Sequence, residues 1–168
     1  MPNESLTERV SRPAAELRRA YGQFATGVCI VSSRALPDTG APFAITVNSF
    51  ATVSLAPPMI SWCVQKDSTS YPLWLDSDDF AVSILNSRQA ALCEQFAIRG
   101  NHLIHDLAPF QQSALGNPVV REALATFECK VNNVHDAGDH SIIVADVLDF
   151  SSDERHAPLT YFRGAIDA

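Results

Sequence analysis

Short runs of apolar and β-branched residues, separated by turn-forming residues, follow one another through most of the chain. The first runs cover residues 28–32, 43–55, 59–65 and 80–85, and the breaks between them fall at 37–40, 57–58 and 76–79. This spacing is typical of an antiparallel meander or barrel and not of alternating βαβ units. Further strands are predicted at 131–134 and 142–148, on either side of a turn at 137–139, and a strand at 159–162 is expected to close the sheet.

Two segments have helical spacing instead. Ser11 is a candidate N-cap with Pro13 in the first turn, and an apolar face follows that is made of Ala14, Leu17, Tyr21 and Phe24. Gly27 is expected to end this helix. Residues 87–97 form a second amphipathic helix, and 99–117 are irregular. The pattern therefore predicts a mainly antiparallel β-barrel in residues 13–168, with one helix at its start, another packed outside it, and a loose arm at 1–12.

Composition narrows the class of protein. The 168 residues are 46% hydrophobic and 18% charged, which fits one compact globular domain. A net charge of −7 argues against a nucleic-acid partner, because binding phosphates needs clustered Lys and Arg. No apolar run approaches the roughly 20 residues that cross a bilayer, so no membrane partner is expected. Cys29, Cys63, Cys93 and Cys129 lie at least thirty residues apart, which favours free thiols in a cytoplasmic protein over a zinc knuckle.

The first candidate for chemistry is the polar segment at 46–55. Thr, Asn and Ser residues interrupt an apolar run that ends in two prolines. In a half-buried strand, apolar and polar residues would instead alternate regularly along the chain. Such side chains and their neighbouring amides suit the polar edge of a planar heterocycle, while Phe50 and Val53 supply packing. The alternative is the solvated face of a barrel strand.

The second candidate is the segment 65–71, directly after an apolar strand. This segment is a candidate phosphate-binding site, because it combines Lys66, the hydroxyls of Ser68 and Thr69 and free amides at a strand-to-helix turn. The segment lacks the glycines of a P-loop, so a plain serine-capped turn is the alternative.

The third candidate is the turn that contains Gly138, Asp139 and His140. Gly138 permits a positive φ, and Asp139 can orient the imidazole ring, although a purely structural turn has the same pattern. His102 and His105 have the spacing of half a metal site but lack further ligands, and no metal is predicted. A Rossmann fingerprint is absent, so any dinucleotide is held in another way.

Taken together, several blocks resemble the flavin reductase-like FMN-binding family, which includes the small reductase components of two-component flavin-dependent monooxygenases. The blocks occur in the family's order over residues 15–165: FATGVCIVSS (24–33), ITVNSFATVSLAPPMI (45–60), FAVSIL (80–85), LCEQFA (92–97), GDHSIIVADV (138–147) and PLTYFRG (158–164). The flavin block and the GDH turn are specific as a set. The resemblance implies an FMN-binding split β-barrel, antiparallel and of Greek-key type, with a few flanking helices and a homodimeric assembly.

The resemblance also implies roles for particular residues. The isoalloxazine would contact Thr46, Val47, Asn48 and Ser49, and its polar edge would lie along the backbone of Ala51, Thr52, Val53 and Ser54. The flavin phosphate would face Lys66, Ser68 and Thr69, and Phe96 would line the pocket. Nicotinamide would be held by Gly138, Asp139 and His140, with His140 as the catalytic residue. Ala44 stands where the family often has glycine, which leaves the choice of FMN or FAD open.

The function implied is an NAD(P)H:flavin oxidoreductase that transfers hydride from NADH to FMN or FAD and supplies reduced flavin to a separate monooxygenase component. NADH is preferred to NADPH because no set of arginines for a 2′-phosphate is evident. The rival hypothesis is a non-catalytic flavin carrier built on the same barrel.

Overall fold

The computed structural model describes residues 13–36 and 39–167, so Ser11 and the predicted arm at 1–12 lie outside it. The helices are α1 (Ala14–Tyr21), α2 (Tyr71–Leu75) and α3 (Ala90–Ala97), and a 3-10 turn (Ser87–Gln89) leads into α3. The strands are β1 (Thr26–Gly27), β2 (Cys29–Ser33), β3 (Phe43–Val47), β4 (Ala51–Leu55), β5 (Pro58–Gln65), β6 (Asp79–Ile84), β7 (Phe110–Gln112), β8 (Pro118–Val120), β9 (Ala125–Ala137), β10 (His140–Ser152), β11 (Thr160–Phe162) and β12 (Ala165–Asp167). None of these helices is long and apolar enough to span a membrane.

Seven strands form one antiparallel sheet in the order β3-β2-β6-β9-β10-β5-β4. If flat, this sheet would hold its two edge strands about 29 Å apart, because neighbouring strands lie about 4.8 Å apart. Yet β3 and β4 are joined by residues 48–50 alone, which can span at most about 14 Å. The sheet must therefore curl until its edges come close. No ladder joins β3 to β4 among the described residues, so the barrel stays open along this line, which we call the seam.

Two apolar clusters hold the sheet in this shape. Inside the curl, Trp74 packs edge-on against Trp62 and Phe43, with ring centroids 5.1 and 4.7 Å away. Outside it, Phe96 of α3 packs over Ile30 and Leu85 in the second cluster. Because α3 covers β2 and β3, this face of the barrel has little contact with water, as the amphipathic pattern of 87–97 predicted.

The structure confirms the fold class and corrects several details of it. The single strand predicted at 43–55 is two strands, because the chain leaves one edge of the sheet and joins the other. The strands predicted at 131–134 and 142–148 extend to 13 residues each. The added end of β10 is exposed and carries no apolar signal, whereas the part of β9 that the prediction missed includes the buried Glu128 and Cys129, where a charged residue interrupts the apolar pattern. The strand predicted at 159–162 does not close the main sheet but joins β1 and β12 in a separate three-stranded sheet.

The N-terminal helix departs most from prediction. It ends at Tyr21 and not at Gly27, because Gly22 caps it and accepts a hydrogen bond from the Arg163 amide at 2.9 Å. A Cβ at Gly22 would lie 3.3 Å from the Arg163 Cα, so the glycine allows this close approach. The predicted apolar face is not buried: α1 has no buried residue, and Tyr21 and Phe24 are 69% and 77% exposed.

The cysteine prediction is confirmed. All four thiols are free, three of them are buried, and Cys63 is half-buried. Burial raises the pKa of Cys29 to about 12, and burial together with the charge of Glu128 does the same for Cys129.

Candidate functional site

The residues at the start of the polar segment point in different directions. Thr46 lines a cavity and donates its hydroxyl proton to the Cys93 carbonyl of α3 at 2.7 Å, so towards a ligand it can only accept. Val47 packs into the core, which leaves its backbone as its only accessible part. Asn48 is exposed and lines a second groove.

Ser49 lies in the segment 48–50 that joins β3 to β4, and it hydrogen-bonds this segment to β5 across the barrel. Its Oγ accepts from the Cys63 amide at 2.9 Å and lies 3.3 Å from the Cys63 carbonyl. β4 pairs with β5 only as far as Ser61, so the rest of β5 faces the seam with Ser49 beside it. Here side-chain hydrogen bonds replace the missing ladder.

Strand β4 forms the exposed edge of the sheet. Its described ladder is with β5 alone, so alternate backbone N–H and C=O groups of Ala51–Leu55 face outward. A register shift between Thr52 and Ser54 bulges the strand at Val53, whose side chain is 52% exposed. An edge with free amides and a bulge is suited to pairing with a planar polar ligand.

The segment after β5 forms a tight polar loop at the mouth of a cavity. The Ser68 amide bonds the Gln65 carbonyl at 3.0 Å, and the Ser70 hydroxyl lies 3.0 Å from Ser68 Oγ and accepts from the Trp74 indole. Ser70 is therefore committed to the core, whereas Thr69 is exposed. The helix that follows, α2, has only five residues, so hydroxyls and amides and not a helix dipole must carry any anion binding here.

A cavity of about 240 Å³ lies between this loop, the edge of β3 and the end of α3. Phe96, Thr46, Ser68 and Thr69, all predicted site residues, line it together. Its wall also holds Ala44, at the position where the family often has glycine.

Two further side chains at this cavity are cationic or titratable: Arg99, which sequence reasoning missed, and His102, which it considered only as half of a metal site. Arg99 donates to the Asp67 carbonyl at 2.8 Å and pairs with its carboxylate at 3.3 Å, and His102 Nδ1 lies 3.4 Å from Thr69 Oγ1. Both residues line the cavity. They follow α3, about thirty residues beyond the loop, in a stretch with no periodic pattern, so no local signal points to them.

Lys66 is oriented differently from its neighbours. Residues Gln65 and Asp67 line the cavity, but Lys66 is not among its lining residues. Its ammonium instead donates to the Gly138 carbonyl at 2.6 Å and forms an ion pair with Asp136. This geometry differs from the predicted contact between Lys66 and a flavin phosphate.

The GDH turn closes the hairpin of β9 and β10, where His140 pairs with Ala137 on one side and with Gln65 on the other. Gly138 has φ +66°, which fits the first central position of a type II′ turn. His140 Nδ1 lies 2.7 Å from Asp139 Oδ1, and this hydrogen bond, with the histidine charge, lowers the pKa of Asp139. A carboxylate can only accept, so Nδ1 carries the proton and Nε2 is directed away from Asp139.

A larger groove of about 810 Å³ runs beside α1. Asn48 lines it together with Thr26, Tyr161 and the arginines at positions 18, 19 and 163. Among the predicted residues, the structure thus brings four into the small cavity and the GDH turn next to the loop, while it sends Asn48 to this groove.

The curled antiparallel sheet with its open seam defines a split-barrel protein. The chain matches the Flavin reductase like domain over residues 21–168 and belongs to that family. A relative named FMN reductase (NADH) SmoA, from Agrobacterium fabrum, is 38% identical over 148 residues, which are 88% of this chain and 82% of the relative. The reductase subunit HsaB of a flavin-dependent monooxygenase, from Rhodococcus jostii, is 33% identical over 88% of this chain and 73% of its own.

A solved structure with the same fold is the NADH:FAD oxidoreductase SgcE6 of Streptomyces globisporus C-1027, in complex with NAD and FAD fragments. It superposes with a TM-score of 0.84 at 28% identity and covers 92% of each chain. The family resemblance carried by the sequence blocks and the split-barrel fold class are therefore confirmed. The names of SmoA and SgcE6 specify a flavin nucleotide and NADH, and the name of HsaB specifies the reductase subunit of a flavin-dependent monooxygenase.

Proposed function

We propose that this protein is an NADH:flavin oxidoreductase that releases reduced flavin to a separate monooxygenase component. The observation that carries the proposal is the cavity at the seam, whose donors suit a flavin phosphate and which adjoins the turn that holds His140. The names of the relatives support the same chemistry and, for HsaB, the same kind of partner.

The cavity fits the phosphate end of a flavin. Ser68 and Thr69 offer hydroxyls, and Arg99 and His102, which contact the same loop, offer a cation and a ring nitrogen. Arg99 is held by Asp67 at only 3.3 Å in an exposed pair, a contact of little net strength that a phosphate can replace. Phe96 and Thr46 would then border the ring system, and the bulged backbone of Ala51–Ser54 would supply amides to its polar edge.

His140 would position the nicotinamide. The bound flavin supplies the redox chemistry by accepting hydride from NADH. The chain's part is to hold the two rings at contact distance and to exclude other orientations, since no nucleophile of the protein is required. Asp139 fixes the imidazole tautomer, so that Nε2 presents a defined hydrogen-bonding face to the nicotinamide, beside Gly138.

We also propose that the protein is a cytoplasmic homodimer. Four free thiols suit a reducing compartment. Exposed apolar side chains collect on α1 and its C-terminal end (Leu17, Tyr21, Phe24), on β4 (Val53, Leu55) and at the far end of β10 (Leu148, Phe150), more than a lone barrel needs to leave in water.

Steady-state oxidation of NADH at 340 nm tests the proposal. The purified protein is assayed with no flavin and with FMN, FAD or riboflavin, against protein-free controls and with NADPH as the competing donor. We expect oxidation that requires both protein and added flavin, with NADH preferred. Flavin binding without oxidation of either nucleotide would contradict the reductase and favour a carrier.

A further inference from the structure

We propose that Lys66 is a positioning residue for the nicotinamide turn and does not bind the flavin phosphate. The inference rests on the proposed function and names a role within the same site. Its basis is that one residue holds both central carbonyls of the turn that precedes His140.

The contacts come from the backbone and the side chain of Lys66 at once. Its amide donates to the Asp139 carbonyl at 3.0 Å, and its ammonium donates to the Gly138 carbonyl at 2.6 Å. Gly138 and Asp139 are the two central residues of the hairpin turn, and their carbonyls lie beyond the last ladder pair, His140 with Ala137. Without the ammonium the Gly138 carbonyl would lose this donor, and only the backbone contact between Lys66 and the Asp139 carbonyl would remain to hold the turn.

Asp136 keeps the ammonium in place. It forms an ion pair with Lys66 from the β9 side of the same hairpin, so the lysine is held between an acidic side chain and a carbonyl of one turn. A charge-assisted hydrogen bond to a carbonyl is stronger than a neutral one. The lysine side chain is about one-third exposed and the Asp136 side chain is 81% exposed, so water partly screens the ion pair.

Fixing these peptide planes fixes His140. The Asp139 carboxylate that orients the imidazole ring belongs to one of the two clamped residues, and its position follows that of its own backbone. Because His140 also pairs with Gln65, the residue before Lys66, the end of β5 supports the ring from two successive positions. Loss of the ammonium would therefore disturb the nicotinamide contact while the cavity, which Lys66 does not line, stays intact.

The test compares Lys66→Met with Lys130→Met, which removes the chain's other lysine in the middle of β9. KM for NADH is measured in steady state, and Kd for FMN by quenching of flavin fluorescence. For Lys66→Met we expect KM for NADH to rise about 3- to 10-fold, the range of one charge-assisted hydrogen bond in a partly exposed place, with Kd for FMN within about 2-fold of wild type. Lys66→Arg, which keeps a donor, restores most of the loss, and Lys130→Met matches wild type.

A rise in Kd for FMN without a change in KM for NADH would overturn the inference and make Lys66 a phosphate ligand. Equal changes in both constants, or in neither, would overturn it as well. Hydrogen exchange of the peptide over residues 136–142 gives a readout that needs no activity: Lys66→Met should exchange faster there than wild type, and Lys130→Met should not. If wild type does not oxidise NADH, the proposed function fails, while the exchange result still decides whether Lys66 clamps the turn.

Discussion

The two edges of the seven-stranded sheet are treated in opposite ways. β3 is covered: Phe43 and Ala44 are fully buried, the Ala44 amide donates to the His102 carbonyl at 2.8 Å, and Thr46 bonds to α3. β4 is bare: Leu55 is 93% exposed, and the outer backbone groups of the strand have no ladder partner among the described residues.

The difference separates an edge strand whose backbone groups and side chains are covered by the chain itself from one whose backbone groups and side chains face water. The β3 edge meets its own hydrogen-bonding and packing demands within the chain, and so it can serve as a rigid wall for the cavity. The β4 edge offers amides and apolar side chains to water, an arrangement that a monomer would be expected to protect. We interpret it as the surface that a flavin ring and a second copy of the chain cover.

The largest expected effect is on stability and concerns the covered strand β3. Phe43→Ala removes a ring that packs 4.7 Å from Trp74 in the core, and we expect it to lower the free energy of unfolding by about 3–5 kcal/mol. Leu55→Ala, on the bare edge, should change it by no more than about 0.5 kcal/mol in the monomer. Urea unfolding at low protein concentration measures both. Similar losses in the two variants would remove the contrast between the edges.

The second prediction concerns assembly. Leu55→Asp combined with Phe150→Asp places two charges on exposed apolar positions of the bare edge and of β10, and we expect the proposed homodimer to dissociate at least about 100-fold more easily. Light scattering coupled to size exclusion follows the change. Leu75→Asp, an exposed position on α2, is the control and should leave the dimer intact. A dimer that survives the double change does not use this surface.

The third prediction addresses the cavity walled by β3. Arg99→Met leaves Ser68 and Thr69 without their cationic neighbour, and we expect Kd for FMN to rise about 10-fold, as for one lost charged contact to phosphate. Kd for riboflavin, which has no phosphate, should stay unchanged. Arg88→Met, on the 3-10 turn away from this cavity, controls for lost charge. Equal weakening of FMN and riboflavin would show that Arg99 does not meet the phosphate.

The smallest effect is expected at the turn beside β5. His140→Ala should raise KM for NADH or lower turnover by a few-fold to about 10-fold, because it removes one positioning group from the nicotinamide side. Kd for FMN should remain near the wild-type value. His105→Ala, on the exposed irregular stretch, serves as the control. Wild-type kinetics in His140→Ala would exclude the ring from the site.

Sequence reasoning predicted the bounds of the buried strands better than it predicted which side chains are exposed and which meet at the site. β5 and β6 lie within one residue of their predicted bounds, because buried strands bounded by proline and aspartate give a clear signal. The apolar face of α1 was predicted from its periodicity, but the face is exposed, since periodicity gives the spacing of apolar residues and not what covers them. Arg99 could not be predicted, because only the fold brings it from beyond α3 to the loop at Asp67.

The direction of Lys66 was equally beyond the sequence. A lysine beside Ser68 and Thr69 indicates a phosphate seat, but the hairpin from β9 to β10 returns seventy residues later and presents the Gly138 carbonyl to the same ammonium. The polar segment combines two features that the sequence could not separate: residues 48–50 cross from one edge of the sheet to the other, and Ala51–Leu55 form an exposed edge strand, which agrees with the alternative of a solvated strand face.

The most direct test of the central claim is anaerobic mixing of the protein with FMN and NADH, with flavin absorbance followed near 450 nm. We predict rapid bleaching that depends on the protein, is slowed when NADH carries deuterium at C4, and is weaker in His140→Ala at equal flavin occupancy. Bound FMN that keeps its absorbance in the presence of excess NADH would contradict the account.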